Sequence, residues 1–441
     1  MAKDKYMFVV DVGTSSLKAA IMDRELNVIK HTQKGYTYRM LDNMGAEIAP
    51  EKIWTAIVKA ARDFSSYSSR IEAITLCTFC PALTPMDNQG NALRNSIIHL
   101  DRRTYTQARQ ILRQIGEKRL LEITGNLPFP GGISLTSLLW IKENEPDIYR
   151  KTAMFGHMNT FIMKHLVDRW VIDPTNASMT GLYETCKYGD WSGELTNEFD
   201  INISKLPEVS DCDQLLGGLS KQAASILGLR AGTPVIMGGG DTACAAFGAG
   251  SDEEGEILNI AGSNELLTIT LKKPLPGKKY NLRTHVIRDR WLIFVITVSG
   301  IALEWFRKQF CRDMDKKSFY SEYLPNVLRQ ADSSETYLPH ICGDRYSMLQ
   351  RKGAFSRLTI NTTREDMLRA LASGVMRPLI NALSECRKHI KLSNSIFLTG
   401  GGANQAIKKY KERTVFSGYN FNIRKDCSLI GVAKLAAKYM N

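Results

Sequence analysis

The sequence contains no long apolar run: none of its hydrophobic stretches reaches the roughly 18 residues that a membrane-spanning helix needs. Its start, Met1-Ala2-Lys3-Asp4-Lys5, leads directly into a strand pattern, without the apolar region and cleavage site of a secretory signal. The nine cysteines are scattered and odd in number, which speaks against a disulfide framework and for reduced thiols, so a cytoplasmic protein is expected. Cys77-Thr78-Phe79-Cys80 is a lone Cys-x-x-Cys; with no second pair and no nearby histidine it lacks the ligands of a zinc site, and two small residues at a strand end are the simpler reading. Zinc-finger spacing and a long basic arm are missing as well, although the net charge is +13. Lys and Arg are dispersed, with only short clusters such as Lys408-Lys409-Tyr410-Lys411. Nucleic acid is therefore disfavoured as the partner, and the charge reads as a solvated basic surface that helps attract anionic nucleotides.

What is present is an ordinary globular balance, 44% hydrophobic and 23% charged, over 441 residues, long enough for two domains. The stretch that organises the rest is Gly238-Gly239-Gly240-Asp241-Thr242, which follows an apolar run at 234–237 and precedes a run of small residues. The glycines allow a tight turn and close approach of backbone to a ligand. Asp241 stands at the mouth of that turn, where it either accepts a proton from a bound substrate or caps the helix that follows.

Residues 6–11 form a β-rich apolar run ending in Asp11. Val12-Gly13-Thr14-Ser15-Ser16 makes a turn rich in hydrogen-bond donors, and 17–22 resumes an apolar strand, with Asp23 and Asn27 suited to the next turn. Such a hairpin loop can hold phosphate through N–H and hydroxyl groups, with Lys18 nearby for charge, and Asp11 could hold Mg²⁺ through water. A helical period over 50–65 precedes a β-like run at 71–78. The strand expected at 97–100 leads into Asp101-Arg102-Arg103, which could hold sugar hydroxyls or make a structural ion pair and helix cap. Helices are expected at 140–149 and 159–167. In the second half, a strand at 256–260, the turn Ala261-Gly262-Ser263-Asn264 and a strand at 266–271 repeat the first hairpin loosely, suggesting an internally duplicated fold with a cleft between the halves. A long helix from Thr363 through Leu379 is expected despite Pro378. A strand at 395–399 then runs into Gly400-Gly401-Gly402-Ala403-Asn404, whose backbone could lie against a nucleotide.

Taken in order, the Asp11-to-Lys18 hairpin, Asp101-Arg102-Arg103, the Asp241 loop and the Gly400 loop resemble the FGGY family of carbohydrate kinases over nearly the whole chain. Further matching segments are Asp173-Pro174-Thr175-Asn176-Ala177-Ser178, Leu338-Pro339-His340 with Gly343-Asp344-Arg345, and Leu429-Ile430-Gly431-Val432-Ala433. The resemblance implies an α/β, duplicated ribonuclease-H-like fold of the actin, hexokinase and Hsp70 ATPase type. Its two domains, 1–245 (sugar and first phosphate loop) and 246–441 (nucleotide), would surround a central cleft and rotate about it. It implies ATP and Mg²⁺ as cofactors and a small sugar or polyol as substrate, the details leaning towards the pentulose and xylulose kinase branch. Carried over, Asp241 would be the general base, Asp11 would organise Mg²⁺ through water, and Lys18 would add positive charge. Gly13, Thr14, Ser15, Gly262 and Ser263 would surround the transferred phosphate, Gly401, Gly402, Ala403 and Asn404 would hold the ADP portion, and Cys80, Pro81, Asp101, Arg102, Asp241 and Thr242 would meet the sugar. The chain departs from the family where a Gln-Met-His-Gly-type segment becomes Phe79-Cys80-Pro81-Ala82, where a tryptophan becomes His99, and where a Gly-Thr-Ser loop becomes Gly262-Ser263-Asn264. The altered sugar segment keeps open an alternative, a catalytically weak nucleotide-gated sensor on the same fold. The oligomeric state, a homodimer included, is not fixed by the sequence.

Overall fold

The structure, a computed structural model, describes residues 5–42, 44–331, 334–344, 348–349 and 351–440; Arg345 and the first four residues lie outside the described residues. Two mixed sheets carry the fold. In the first, the strands run in the order Leu215–Gly218, Pro234–Ile236, Ile71–Thr78, Tyr6–Val12, Ser16–Met22 and Val28–Gly35. The second has the order Asn281–Thr284, Trp291–Val298, Asn264–Leu271, Ile257–Ala261, Ser395–Thr399 and Asn420–Ile423. Each sheet has a three-stranded antiparallel meander whose first strand pairs in parallel with a later strand: Tyr6–Val12 with Ile71–Thr78, and Ile257–Ala261 with Ser395–Thr399. The loose sequence repeat is therefore a repeat of sheet topology. Tyr6–Val12 is buried along nearly its whole length because helices cover both faces of the sheet, which explains a continuous apolar run where a half-exposed strand would alternate.

The helix Pro50–Asp63 covers one face of the first sheet with Ile53, Ala56, Ile57, Ala60 and Ala61, an apolar stripe at helical spacing that opens with proline, where the missing N–H is not needed. A third, antiparallel sheet, containing Ala82–Met86 and Ser96–Ile98, extends the first half beside the cleft.

The helix Asp241–Ala249, which runs unbroken across the expected boundary at 245, packs on Cys427–Ala437, and small residues allow the contact to be made backbone to backbone. A Cβ at Gly248 would stand 1.8 Å from the Cys427 carbonyl oxygen, and one at Gly431 would stand 1.7 Å from that of Cys244. Glycine is thus required at both positions by space alone. The apolar cluster around this crossing draws on both halves, from Met7 and Val9 to Leu258, Leu292 and Val432.

Two expected helices are broken. The one expected over 140–149 is Ser134–Asn144 followed by Pro146–Lys151, with Glu145 outside helical geometry at the junction, and Pro146 can start a helix but not continue one. Likewise the helix from Thr363 ends at Gly374, and a second, Arg377–Cys386, takes Pro378 into its first turn. The capping box of Thr363 and Asp366 at the start of the first is formed.

Candidate active site

The Asp241 turn is built by close contact with the first sheet. Gly238 has φ +71°, and a Cβ there would lie 1.8 Å from the Leu76 carbonyl oxygen, so no other residue fits. Gly239 and Gly240 pair in parallel with Cys77 and Thr78. The Gly240 N–H donates to Thr175 Oγ1 at 2.6 Å, and the Thr175 hydroxyl donates in turn to the buried Asp173 carboxylate. Asn159 and Asn176 also donate to Asp173, at 2.7 and 2.8 Å. This relay fixes the turn that ends in Asp241. Asp241 then opens its helix, where the N-terminal dipole favours a carboxylate, and accepts from the Thr242 N–H at 2.6 Å and the Thr242 hydroxyl at 3.2 Å.

Asp11 is the next-to-last residue of the neighbouring strand Tyr6–Val12, opposite Cys77, whose thiol donates to Asp11 Oδ1 at 3.4 Å. Burial pushes the Asp11 carboxyl up, with the Cys77 thiol and the Lys18 ammonium pulling the other way. Asp241 is pushed up to about 7, first by burial and then by the negative field of Asp11, against which the two Thr242 donors act. Two carboxylates sharing a poorly solvated site in this way push apart the protonation of one of them. Both line a cavity of about 330 Å³ whose walls also include Gly13, Thr14, Cys80, Pro81, Thr242, Gly262 and Ser263.

Gly262 and Ser263 are shared with a second cavity, of about 850 Å³, in the C-terminal half. Leu303, Trp305 and Met376 give it apolar walls, and Gly401, Gly402 and Asn404 stand along it. Apolar walls behind a glycine-lined approach suit a nucleobase and ribose. Asn404 Oδ1 accepts from the Ile407 N–H at 3.0 Å, capping the helix Gln405–Arg413. From that helix the fully buried Lys411 donates to Asn259 and to Glu265, itself in the wall of this cavity, so one ammonium ties the Gly400 loop's helix to both strands flanking Gly262–Ser263. Among the described residues no cluster of three His, Cys, Asp or Glu forms a metal cage. The Asp11 carboxylate in the smaller cavity suits Mg²⁺, which keeps waters and binds largely through nucleotide phosphates.

Other expected residues fall elsewhere. Lys18 is exposed, with Nζ 4.0 Å from Asp426 Oδ1, and lines neither large cavity; with Asp11, Gly400, Gly401 and Ala403 it lines a smaller one of about 280 Å³. Ser15 is exposed, and its carbonyl accepts from the Tyr36 N–H. Asp101 is fully buried and committed to the Ala46 N–H and to Arg103, so its carboxylate makes the structural ion pair. The Arg102 guanidinium donates to the carbonyls of His99, Asp101 and Pro130, bracing the loop Phe129–Gly132, whose residues Phe129, Gly131 and Gly132 do line the smaller, 330 Å³ cavity. Neither Asp101 nor Arg102 lines it. Sequence reasoning missed Asn281 and Arg283, which do. Their strand is too short and too polar to signal itself, and a lone arginine in it reads as surface.

Comparison with known proteins accords with this geometry. The model of the N-terminal domain of the FGGY family of carbohydrate kinases matches residues 6–248, more than half of the chain. Among curated relatives, the xylulose kinase of Staphylococcus xylosus is 25% identical, with 90% of this chain and 83% of that protein covered. The glycerol kinase of Thermococcus kodakarensis is 27% identical, covering 98% and 88%. Among solved structures, gluconate kinase from Lactobacillus acidophilus superposes with a TM-score of 0.90 at 20% identity, over 100% of this chain and 90% of that one. A two-domain actin-like ATPase fold, two cavities that share Gly262 and Ser263, the smaller lined by a pair of carboxylates, and a family match over residues 6–248 converge on one conclusion: the chain belongs to the FGGY family of carbohydrate kinases and is a carbohydrate kinase.

Proposed function

We propose that the protein phosphorylates a hydroxyl of a small sugar or polyol by direct, in-line transfer from ATP, with Asp241 as general base. One observation carries the reading. Asp241 lines the smaller cavity, its carboxyl is pushed to about 7, and that cavity shares Gly262 and Ser263 with the larger one. A base whose proton affinity lies near working pH is suited to drawing a proton from an acceptor hydroxyl as it attacks. MgATP, when bound, supplies the phosphoryl group and the cation that spreads its charge. The rest falls to the chain. Asp11 faces the phosphates and offers the carboxylate for the metal's water shell. The hydroxyls of Thr14 and Ser263, with the backbone of Gly13 and Gly262, surround the group in transit, and Gly401, Gly402 and Asn404 hold the nucleotide. Closure of residues 1–245 on 246–441 would exclude the water that competes for the phosphoryl group. Nine free thiols suit a reducing cytoplasm, where this reading places the enzyme.

The sequence pattern favours a pentulose such as xylulose as acceptor. The test is ADP release over a panel of pentuloses, hexuloses, polyols and aldonates at saturating MgATP, with Asp241→Ala beside the wild type. An acceptor-dependent rate that falls by about 10² to 10⁴ in the variant is expected. No stimulation by any acceptor while ATP still binds would replace the enzyme reading with that of a nucleotide-gated sensor.

A further inference from the structure

The cavity that contains Asp241 is walled by both halves of the chain. Phe129, Gly131 and Gly132 come from the first half, and Asn281 and Arg283, on the strand Asn281–Thr284, from the second. That strand forms one margin of the second sheet, with Trp291–Val298 on its inner side. The outer side of a marginal strand presents N–H and C=O groups that need partners. Here those of Leu282 are taken by a side chain of the first half. The Leu282 N–H donates to Asn126 Oδ1 at 3.1 Å, and Asn126 Nδ2 donates to the Leu282 carbonyl at 2.9 Å. One amide thus exchanges the two bonds that a residue on a neighbouring strand would exchange. Asn126 is 1% exposed and is itself held fast: Nδ2 also donates to the Thr124 carbonyl at 2.6 Å, and the Asn126 N–H donates to the Thr124 hydroxyl at 3.1 Å. The approach is close, since a Cβ at Gly125 would stand 2.6 Å from Leu282 Cδ2. The far end of the strand is tied as well. Thr284 pairs with Trp291, whose indole N–H donates to the Thr185 carbonyl at 2.7 Å.

We propose that Asn126 is a positioning residue for the acceptor: through the Leu282 backbone its amide sets how the Asn281–Arg283 wall stands relative to the Phe129–Gly132 wall. This rests on the kinase reading above and deepens it at the acceptor site. Asn126 lines neither large cavity, so it acts only through others. Leu282 enters the core of the C-terminal half, and alternation along the strand turns Asn281 and Arg283 together towards the cavity. Fixing the one peptide unit between them therefore fixes both. On the other side only two residues separate Asn126 from Phe129, and Arg102 braces the loop at the Pro130 carbonyl, so this wall is held from both ends. Without the amide, the Leu282 N–H and two buried carbonyls lose their partners, and such groups are costly to leave unmet. The segments would part to admit water, and the cavity would widen beside an acceptor that must stay poised against Asp241. The nucleotide would be untouched, since Leu282 and residues 124–132 lie outside the walls of the larger cavity.

The test uses the fastest acceptor of the panel above, xylulose, glycerol and gluconate included. ADP release is followed at saturating MgATP, and MgADP affinity is titrated on the same samples. Asn126→Ala is expected to lower kcat/KM for the acceptor by about 10- to 100-fold, chiefly through KM, with MgADP affinity unchanged. Asn126→Asp adds a readout that a merely structural role would not move. A neutral carboxylic acid can accept from the Leu282 N–H and donate to the Leu282 carbonyl, as the amide does; once ionised it has no proton to donate and faces two carbonyl oxygens. The partners of the side chain, Thr124 and Leu282, are uncharged, and burial keeps such a carboxyl neutral to higher pH than usual. The ratio of variant to wild type in acceptor kcat/KM, which divides out the ionisation of Asp241, should be highest near about pH 5 and fall towards about pH 8. MgADP affinity should hold at the wild-type value throughout. An unchanged acceptor KM in Asn126→Ala, a ratio flat with pH in Asn126→Asp, or acceptor and nucleotide affinity lost together overturns the proposal and leaves the kinase reading intact. Failure of both variants to fold does the same, since it would give Asn126 a stabilising role alone. An absence of turnover by the wild type with every acceptor overturns both.

Discussion

Replacing Asp241 by asparagine removes a carboxyl that the fold holds against its own charge. Its pKa moves from the usual 3.8 to about 7, a difference of roughly three units, and at about 1.36 kcal/mol per unit the ceiling on its destabilisation is about 4 kcal/mol. Solvent at the mouth of the cleft and proton sharing with Asp11 reduce this, so about 2 kcal/mol is the expected effect. The sign follows from proton binding. Between about pH 4 and 7 the folded chain retains a proton that the unfolded chain has released, so the wild type becomes less stable as pH rises through that window, and the whole of this one group's penalty is present above about 7. Asparagine resembles the neutral acid throughout. Asp241→Asn should therefore melt above the wild type at pH 8, with the gap closing as pH falls towards 4. Thermal melts of both proteins across this range are the assay, read by the sign and trend of the difference because a two-domain chain need not unfold in one step. A variant no more stable than the wild type at pH 8 would refute the burial and repulsion argument. The same proton predicts that wild-type kcat/KM climbs through about pH 7 as Asp241 ionises.

Gly431→Ala places a methyl group 1.7 Å from the Cys244 carbonyl oxygen, which the helix Asp241–Ala249 cannot move without shifting Asp241. We expect a loss of at least about 2 kcal/mol in a thermal melt and a fall in turnover beyond what unfolding explains. Lys411→Met leaves Glu265 buried without its cation, with an expected loss of about 3–5 kcal/mol and a raised KM for ATP. Adding Glu265→Gln should recover part of that stability, and a double-mutant cycle measures the coupling.

The features legible in the sequence are those written locally. Apolar runs gave Tyr6–Val12, Ile71–Thr78 and Ser395–Thr399 nearly to the residue, and the glycine turns announced Asp241 and Gly401. The partners of buried charges were not legible, because they are set by packing between distant segments. Asp101-Arg102-Arg103 reads equally as a sugar site or an ion pair until Ala46 and Pro130 are seen to occupy it. Asp173 and Thr175 carry a family pattern, yet only the folded chain shows them holding the Gly240 N–H. Helix ends were lost where proline occupies the first turn of a new helix, as at Pro146 and Pro378, since apolar periodicity continues across the break.

The glycine crossing of the two central helices has a mechanical consequence. With no side chains between the two backbones at Gly248 and Gly431, the two central helices are as near there as helices can come, and that separation has no slack to give. Were the halves to turn on one another as proposed, displacement would be smallest at this fulcrum and would grow with distance along each arm. Asp241, seven residues before Gly248 on the same short helix, sits beside the fulcrum and keeps its aim. The outer walls of the cleft would then act as the long ends of the lever, so that a small turn at the pivot would become a large change in how far the cleft stands open.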